Sequence, residues 1–184
     1  IILDQENKNK AELIALELKQ SSDELTSSCR NFIATGDSIW EKKYWNVINV
    51  REGKTENESG KKIYFINRIK ELNLPANEFA MLKGALDTSN KLAVTEIKAM
   101  NAAKNQIDKS ISGKLVFDEK YNKLKEQIIS SILGFTNQLN NRYKQSNSYH
   151  MLRGYNYIKV ILIFALAILI IAAASIFLLK GRII

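Results

Sequence analysis

Apolar and small residues recur along the first part of the chain in alternating steps of three and four: Ala11, Ile14, Leu18, Ser21, Leu25, Ser28 and Phe32. Only an α-helix keeps such a spacing on one face, and the alternation is that of a heptad seam. It predicts one long amphipathic helix over residues 4–35. Thr35-Gly36-Asp37 then interrupts it. Gly36 can take the positive φ that ends a helix, and Asp37 is placed to cap the next one.

The second pass is divided. Residues 38–52 carry Trp40, Tyr44 and Val47 on one face, with Trp45 and Ile48 beside it, and predict a short aromatic-rich helix. Residues 53–60 contain two glycines and no apolar side chain, the composition of an exposed loop, and a helical stripe restarts at Ile63, Ile66 and Ile69. Pro75, the single proline, can open a helix but not continue one. A third long helix is therefore expected over residues 76–110, with Phe79, Leu82, Leu86, Ser89, Ala93, Ile97 and Met100 along its seam and a turn at Gly113. Asp118 can cap a fourth helix whose seam is Tyr121, Leu124, Ile128, Ile132, Phe135 and Leu139. With no proline beyond it, this helix can run on through Tyr143 and Tyr157, Gly154 being its one soft point.

It would run into residues 160–179, VILIFALAILIIAAASIFLL, which contain no charge. At about 1.5 Å per residue this run covers roughly the 30 Å of a hydrocarbon core, so it reads as a membrane span. The four passes have similar lengths, each about 45–60 Å at the α rise, and are joined by short turns. The expected fold is all-α: an antiparallel four-helix bundle with a split second helix, its fourth helix continuing into a transmembrane helix. Residues 4–157 form the bundle, 158–179 the span and 180–184 the start of a further linker. Residues 1–3, Ile-Ile-Leu, read as the end of a preceding hydrophobic segment, a first span or a cleaved signal peptide.

Charge adds a direction but no orientation. Removing the flanking cations Lys159, Lys180 and Arg182 from the formal net charge of +8 leaves +5 on the body. No Asp or Glu follows Glu126, whereas Arg142, Lys144, Arg153 and Lys159 do. The basic residues approach a membrane, where anionic headgroups attract each cation by roughly 1 kcal/mol, a better account of them than nucleic-acid binding. The cations on the two sides of the span do not decide which side is cytoplasmic.

Chemistry is sparse. Cys29 is the only cysteine, which excludes an internal disulfide, and its place on the apolar face favours burial. His150 is the only histidine and lies among polar residues just before the span. One His and one Cys build no familiar zinc site, and the glycines stand singly at turns rather than in a phosphate loop, so no catalytic residue, metal or cofactor is expected. The Asn57-Glu58-Ser59 sequon is read as a chance occurrence.

Ser22-Asp23-Glu24-Leu25-Thr26, the run Arg30-Asn31-Phe32-Ile33-Ala34-Thr35-Gly36-Asp37, Tyr44-Trp45 and Ala99-Met100-Asn101-Ala102 resemble the extracytoplasmic helical-bundle sensor region of bacterial methyl-accepting chemotaxis proteins, a type of input domain also found before some histidine kinases and cyclases. The resemblance implies a homodimeric receptor of the bacterial inner membrane. It places residues 4–157 in the periplasm or exterior, senses a small molecule or a periplasmic binding protein, and passes a conformational change to a cytoplasmic signalling domain. The competing expectation is a structural tether with a cytosolic body and a single C-terminal anchor.

Within such a bundle, height along the helices brings several polar residues together. Counted at about 1.5 Å per residue, Ser21 and Ser28 lie at heights comparable to those of Ser89, Asn90 and Glu96 on the third helix and Ser131 and Gly134 on the fourth. A polar layer is expected there. Its small residues either let the helices approach closely and bond to the preceding turn or, together with Arg30 further out, form a ligand pocket of Ser28, Arg30, Ser89, Asn90, Glu96 and Ser131. Trp40, Tyr44 and Trp45 are expected at the membrane-distal turn, either packing the bundle tip or capping a ligand or partner.

Overall fold

The computed structural model describes residues 2–105 and 109–180, with side chains described for 5–105, 112–149 and 151–171. The expectations for residues 1–3, His150, the end of the span beyond residue 171 and residues 181–184 therefore lie outside the described side chains. The fold is all-α: α1 (Ile2–Thr35), α2 (Ser38–Arg51), α3 (Phe65–Glu71), α4 (Ala76–Lys104), α5 (Lys109–Phe117) and α6 (Glu119–Lys180), with no strand among the described residues. The chain divides into two compact units, Ile1–Asn140 and Asn141–Ile184.

In the first unit the turns follow from local chemistry. Gly36 ends α1 with φ of 71°, a left-handed conformation that costs a side-chain-bearing residue free energy, and its N–H bonds to Phe32 O at 2.8 Å. The Asp37 carboxylate accepts from Ile39 N at 2.9 Å and caps α2. Gly53 and Gly60, at φ of 64° and 70°, shape the connection to α3. An isolated bridge between Glu52 and Tyr64 closes that connection into a strap, and Asn57 accepts from Ser59 N and Lys61 N inside it. Pro75 stands immediately before α4, and Asp118 Oδ1 accepts from Tyr121 N at 2.6 Å to cap α6.

The seam of α1 is buried as its spacing requires. Ala11, Ile14, Leu18, Leu25, Ser28 and Phe32 lie inside, joined by Ala15, Ser22, Thr26 and Cys29 on a broader stripe. Leu82, Leu86, Leu92 and Met100 of α4 and Ile128, Ile132, Phe135 and Leu139 of α6 complete the core with Tyr44, Val47 and Ile69. Each fully buried large side chain contributes about 1.5–3 kcal/mol relative to exposure.

Cross-helix contacts give the helix directions. Ser22 meets Ser89 and Thr26 meets Glu96, so α1 and α4 run the same way. Tyr44 meets Ala93 and Arg51 meets Ser89, so α2 runs against α4. Tyr121 reaches Glu96 whereas Gly134 lies beside Met81, so this part of α6 also runs against α4. Arg68 of α3 forms a bidentate ion pair with Glu17 of α1 at 2.5 and 2.6 Å.

Three expectations are corrected. The third long helix does not reach residue 110: α4 stops at Lys104, where Asn105 leaves helical geometry at φ, ψ of −82°, 5° and its N–H turns back to Asn101 O. Gly113 is not a turn but lies within α5, in open space, so that α5 can bury Val116 and Ser112. Ile63 precedes α3 and belongs to the strap, and the buried pair of that short helix is Phe65 and Ile69 rather than a stripe of three isoleucines.

In the second unit the described part of α6 is exposed from Tyr149 onward, including the large apolar side chains between Val160 and Ile171. By length and composition it is the one helix among the described residues apolar enough to cross a membrane. Arg142 lies over the Tyr143 ring and Lys159 over that of Tyr155, both at 4.5 Å from the centroid.

Candidate functional site

Among the described residues three charged side chains are buried, Arg51, Glu78 and Glu96, and two of them, Glu96 and Arg51, lie in the middle of the polar core. Glu96 follows Leu82 and Ser89 at heptad steps along α4, and Arg51 follows Tyr44 by seven residues along α2. Both therefore point where their apolar neighbours point. Glu96 is 1% exposed and Arg51 6%, so neither charge keeps its water.

Among the described residues the Glu96 carboxylate accepts only from hydroxyls. Thr26 of α1 donates to Oε1 at 3.0 Å, Tyr44 of α2 donates to Oε2 at 3.1 Å, and the Tyr121 hydroxyl of α6 bonds to Oε1. The Tyr121 oxygen also lies 3.0 Å from Thr26 Oγ1. Two of these hydroxyls have a second acceptor within reach, a backbone carbonyl: Ala93 O at 3.1 Å for Tyr44 and Ser22 O at 3.2 Å for Thr26. The Cys29 thiol donates to Glu96 O at 3.5 Å. One residue of α4 thus ties α1, α2 and α6 to itself.

Burial raises the Glu96 pKa above the ordinary carboxylate value, and the Tyr121, Thr26 and Tyr44 hydroxyls and the Arg51 charge act against it in that order. Burial, then the Glu96 charge, pushes the Cys29 thiol and the Tyr44 and Tyr121 phenols upward as well. These three groups stay protonated as hydrogen-bond donors.

Arg51 occupies a niche about 10 Å further along α4, seven residues from Glu96 at the helical rise. Its Nε and Nη2 donate to Ser21 Oγ at 3.0 and 2.7 Å, Nη1 to Ser89 Oγ at 2.9 Å and Nη2 to Leu18 O at 3.3 Å. Ser89 in turn donates to Ser22 Oγ at 3.1 Å. No carboxylate lies within 4 Å of Arg51 among the described residues. Burial lowers its pKa to about 10, with Glu96 the leading opposing charge. A buried ion costs several kcal/mol, offset here by its hydrogen bonds and by Glu96.

The residues expected to form a ligand pocket are thus partly united. Ser89 and Glu96 belong to the polar core, Ser28 is buried on α1, and Ser21 is the main acceptor of Arg51. Asn90 is exposed on the far side of α4, which corrects its place in the layer: it matches in height but is turned about 100° from Ser89 around the helix. Ser131 is half-buried beside buried Ile132. Arg30 points away from Glu96, donating to Val116 O at 3.1 and 2.7 Å and lying over the Phe117 and Tyr121 rings at 4.5 and 5.2 Å.

The three aromatic residues expected at the turn take different places. Tyr44 is fully buried and faces the carboxylate, because it shares a helix face with Val47 and Arg51. Trp45 meets it edge-on at 5.8 Å while remaining 39% exposed, and half-buried Trp40 carries Lys43 over its ring at 4.5 Å. Cavities lie elsewhere: one of about 700 Å³ at the α1–α2 turn, lined by Phe32, Ile33, Gly36, Glu41 and Lys104 among others, and one of about 400 Å³ beside Ser21 and Arg51 under the strap. No group of His, Cys, Asp and Glu suited to a metal occurs among the described residues.

Arg51 and Thr26 are site residues that spacing alone does not single out, and Tyr121 stands on the fourth-helix seam without its hydroxyl being assigned a partner. Their signal is present nonetheless, since each puts a hydroxyl or cation on an otherwise apolar face. No protein-family model, curated protein or solved structure matches the chain.

Proposed function

We propose that this chain is the signal-input region of a bacterial transmembrane receptor, in which a change of packing in the helical body is carried by α6 through the membrane to a cytoplasmic signalling domain. In this reading α1, α2 with α3, α4 and the first part of α6 are the four passes of an antiparallel bundle with a split second pass. Residues 4–157 lie in the periplasm or outside the cell, and two copies associate through the bundle.

The observation that carries the reading is that one helix, α6, supplies both Tyr121 to the buried carboxylate and the apolar run 160–179. A change in how Glu96 holds its partners therefore acts on the element that enters the lipid. Helix displacements of about 1–2 Å suffice in switching proteins, provided the stimulus distinguishes the two states. The alternating helix directions and the polar core fit a body built to have two packings rather than a passive spacer.

Topology tests this directly. In right-side-out membrane vesicles, added protease should cut the exposed strap at residues 53–61, while in inverted vesicles the strap should be protected. The opposite pattern would place the body in the cytosol and leave the tether reading in its place.

A further inference from the structure

We propose that Glu96 is a proton-binding site, and that the species this helical body registers is the proton; the inference rests on the input-module reading and supplies its stimulus. The geometry points there because, among the described residues, every partner of the carboxylate is a hydroxyl, a group that can both donate and accept. A guanidinium, ammonium or backbone N–H would serve the carboxylate alone and would be left facing a donor after protonation. Here two of the three hydroxyls have a carbonyl waiting. When Glu96 takes a proton on Oε1, the new O–H can donate to the Tyr121 oxygen, Tyr121 turns its own O–H to Thr26 Oγ1, and Thr26 turns its O–H to Ser22 O at 3.2 Å, while Tyr44 stays between Glu96 Oε2 and Ala93 O. No polar group is stranded in either state, so the site has two complete hydrogen-bonding patterns.

The two patterns differ in strength and in reach. With Glu96 ionised, three charge-assisted bonds draw α1, α2 and α6 onto α4; such bonds are roughly twice as strong as neutral ones. With Glu96 protonated, Thr26 bonds within α1, and Tyr44 faces a neutral carboxyl oxygen and the Ala93 carbonyl, both of α4. The tie to α6 through Tyr121 changes from donor to acceptor.

The charged and titratable groups facing the carboxylate are few. Cys29 of α1, Tyr44 of α2 and Tyr121 of α6 stay protonated, and Arg51 of α2 stays charged. Arg30 of α1 lies on the outer face of the Tyr121 ring. Proton uptake therefore removes one buried negative charge and leaves the Arg51 cation without its leading opposing charge, with Glu17 remaining, which couples the Glu96 state to the end of α2 and the strap that follows it. Burial displaces the equilibrium toward uptake at a pH above the ordinary carboxylate range.

The test is a pH titration of the full chain in detergent micelles by infrared difference spectroscopy, reading the C=O stretch of a protonated, dry carboxyl group and using Glu96→Gln as the subtraction. A band that titrates with a midpoint above 4.5 and is missing in Glu96→Gln supports the site. Absence of such a band, its persistence in Glu96→Gln, or a midpoint at or below the ordinary value overturns it. Tyr44→Phe and Tyr121→Phe keep the test decisive if Glu96→Gln does not fold. Each removes a donor to the ionised form and should move the midpoint upward, and an unmoved or lowered midpoint in both overturns the assignment. The vesicle protease experiment separates the two readings: a titrating Glu96 in a body found on the cytosolic side would retain the proton site and discard the receptor.

Discussion

Gly53 offers a prediction whose magnitude can be built from two separable contributions. The residue holds a φ of 64°, and a Cβ placed on it would stand 2.8 Å from both Ile63 C and Tyr64 N. Gly36 and Gly60 have similar φ values, 71° and 70°, but a Cβ on either meets nothing within 4 Å. Alanine at Gly36 or Gly60 therefore carries only the left-handed backbone penalty, about 1–2 kcal/mol. Alanine at Gly53 carries that plus an overlap with two backbone atoms, which cannot rotate away as a side chain would. Overpacking of this kind typically costs a further ~1–3 kcal/mol, for a total of about 2–5 kcal/mol. The strain falls on the strap, because Gly53 is next to the Glu52–Tyr64 bridge and within the bonds Gly53 N to Val50 O and Lys54 N to Asn49 O. Urea unfolding followed by Trp40 and Trp45 fluorescence would measure the global loss for the three variants. Hydrogen exchange over residues 52–64 would separate a strap that opens locally from one that destabilises the whole unit. The reasoning fails if Gly53→Ala is no more harmful than Gly36→Ala by both measures, since the close approach of Ile63 and Tyr64 would then not exist.

Other expectations can be checked with the same preparations. Thr55 buries its hydroxyl without a hydrogen-bond partner among the described residues, so Thr55→Val should raise stability by about 1 kcal/mol in a urea titration; a loss of that size would show that the hydroxyl is bonded. The Cys29 thiol is buried with a raised pKa, so a maleimide should label it at least about 100-fold more slowly in the native protein than in urea, and equal rates would contradict its burial. Gly154 lies in α6 with open space around it. Gly154→Ala should strengthen the helix by about 0.8–1 kcal/mol and slow local amide exchange about fivefold; faster exchange would mark a required hinge. Because the Glu96 pKa is raised in the folded state, its contribution penalises stability above that pKa and the penalty disappears as pH falls through it toward the unfolded value. The wild type should therefore gain stability relative to Glu96→Gln on going from about pH 8 to about pH 5, and a relative loss would reverse the sign of the shift.

Much of the first unit could be read from spacing because each long helix buries a single stripe. The α1 seam, the Gly36 end, the Asp37 cap and the Asp118 cap all depend on residues within a few positions of one another, and local chemistry decides them. The end of α4 was less accessible. Nothing in the period of Ile97 and Met100 requires a stop at Lys104, and Gly113 carries a turn signal that the burial of Val116 and Ser112 in α5 overrides. The polar core shows the same division. Height along a helix correctly grouped Ser89 with Glu96, but height says nothing about azimuth, so Asn90 was placed with them although it faces solvent. Arg51 went unnoticed because cations are ordinarily solvated, and only its step of seven from Tyr44 marks it as inward-facing. Tyr121 was legible as an apolar ring on the α6 seam. That its hydroxyl would bond to Glu96 is a fact of three dimensions.

The Arg30 guanidinium grips the Val116 carbonyl two residues before Asp118, which caps α6. It fastens the end of α5, where the chain turns into α6, and one helical turn further on Tyr121 is held by the Glu96 carboxylate. Under the proposal above, the first would be a fulcrum and the second an adjustable tie, so that a change at Glu96 would give α6 a direction of movement as well as an amount.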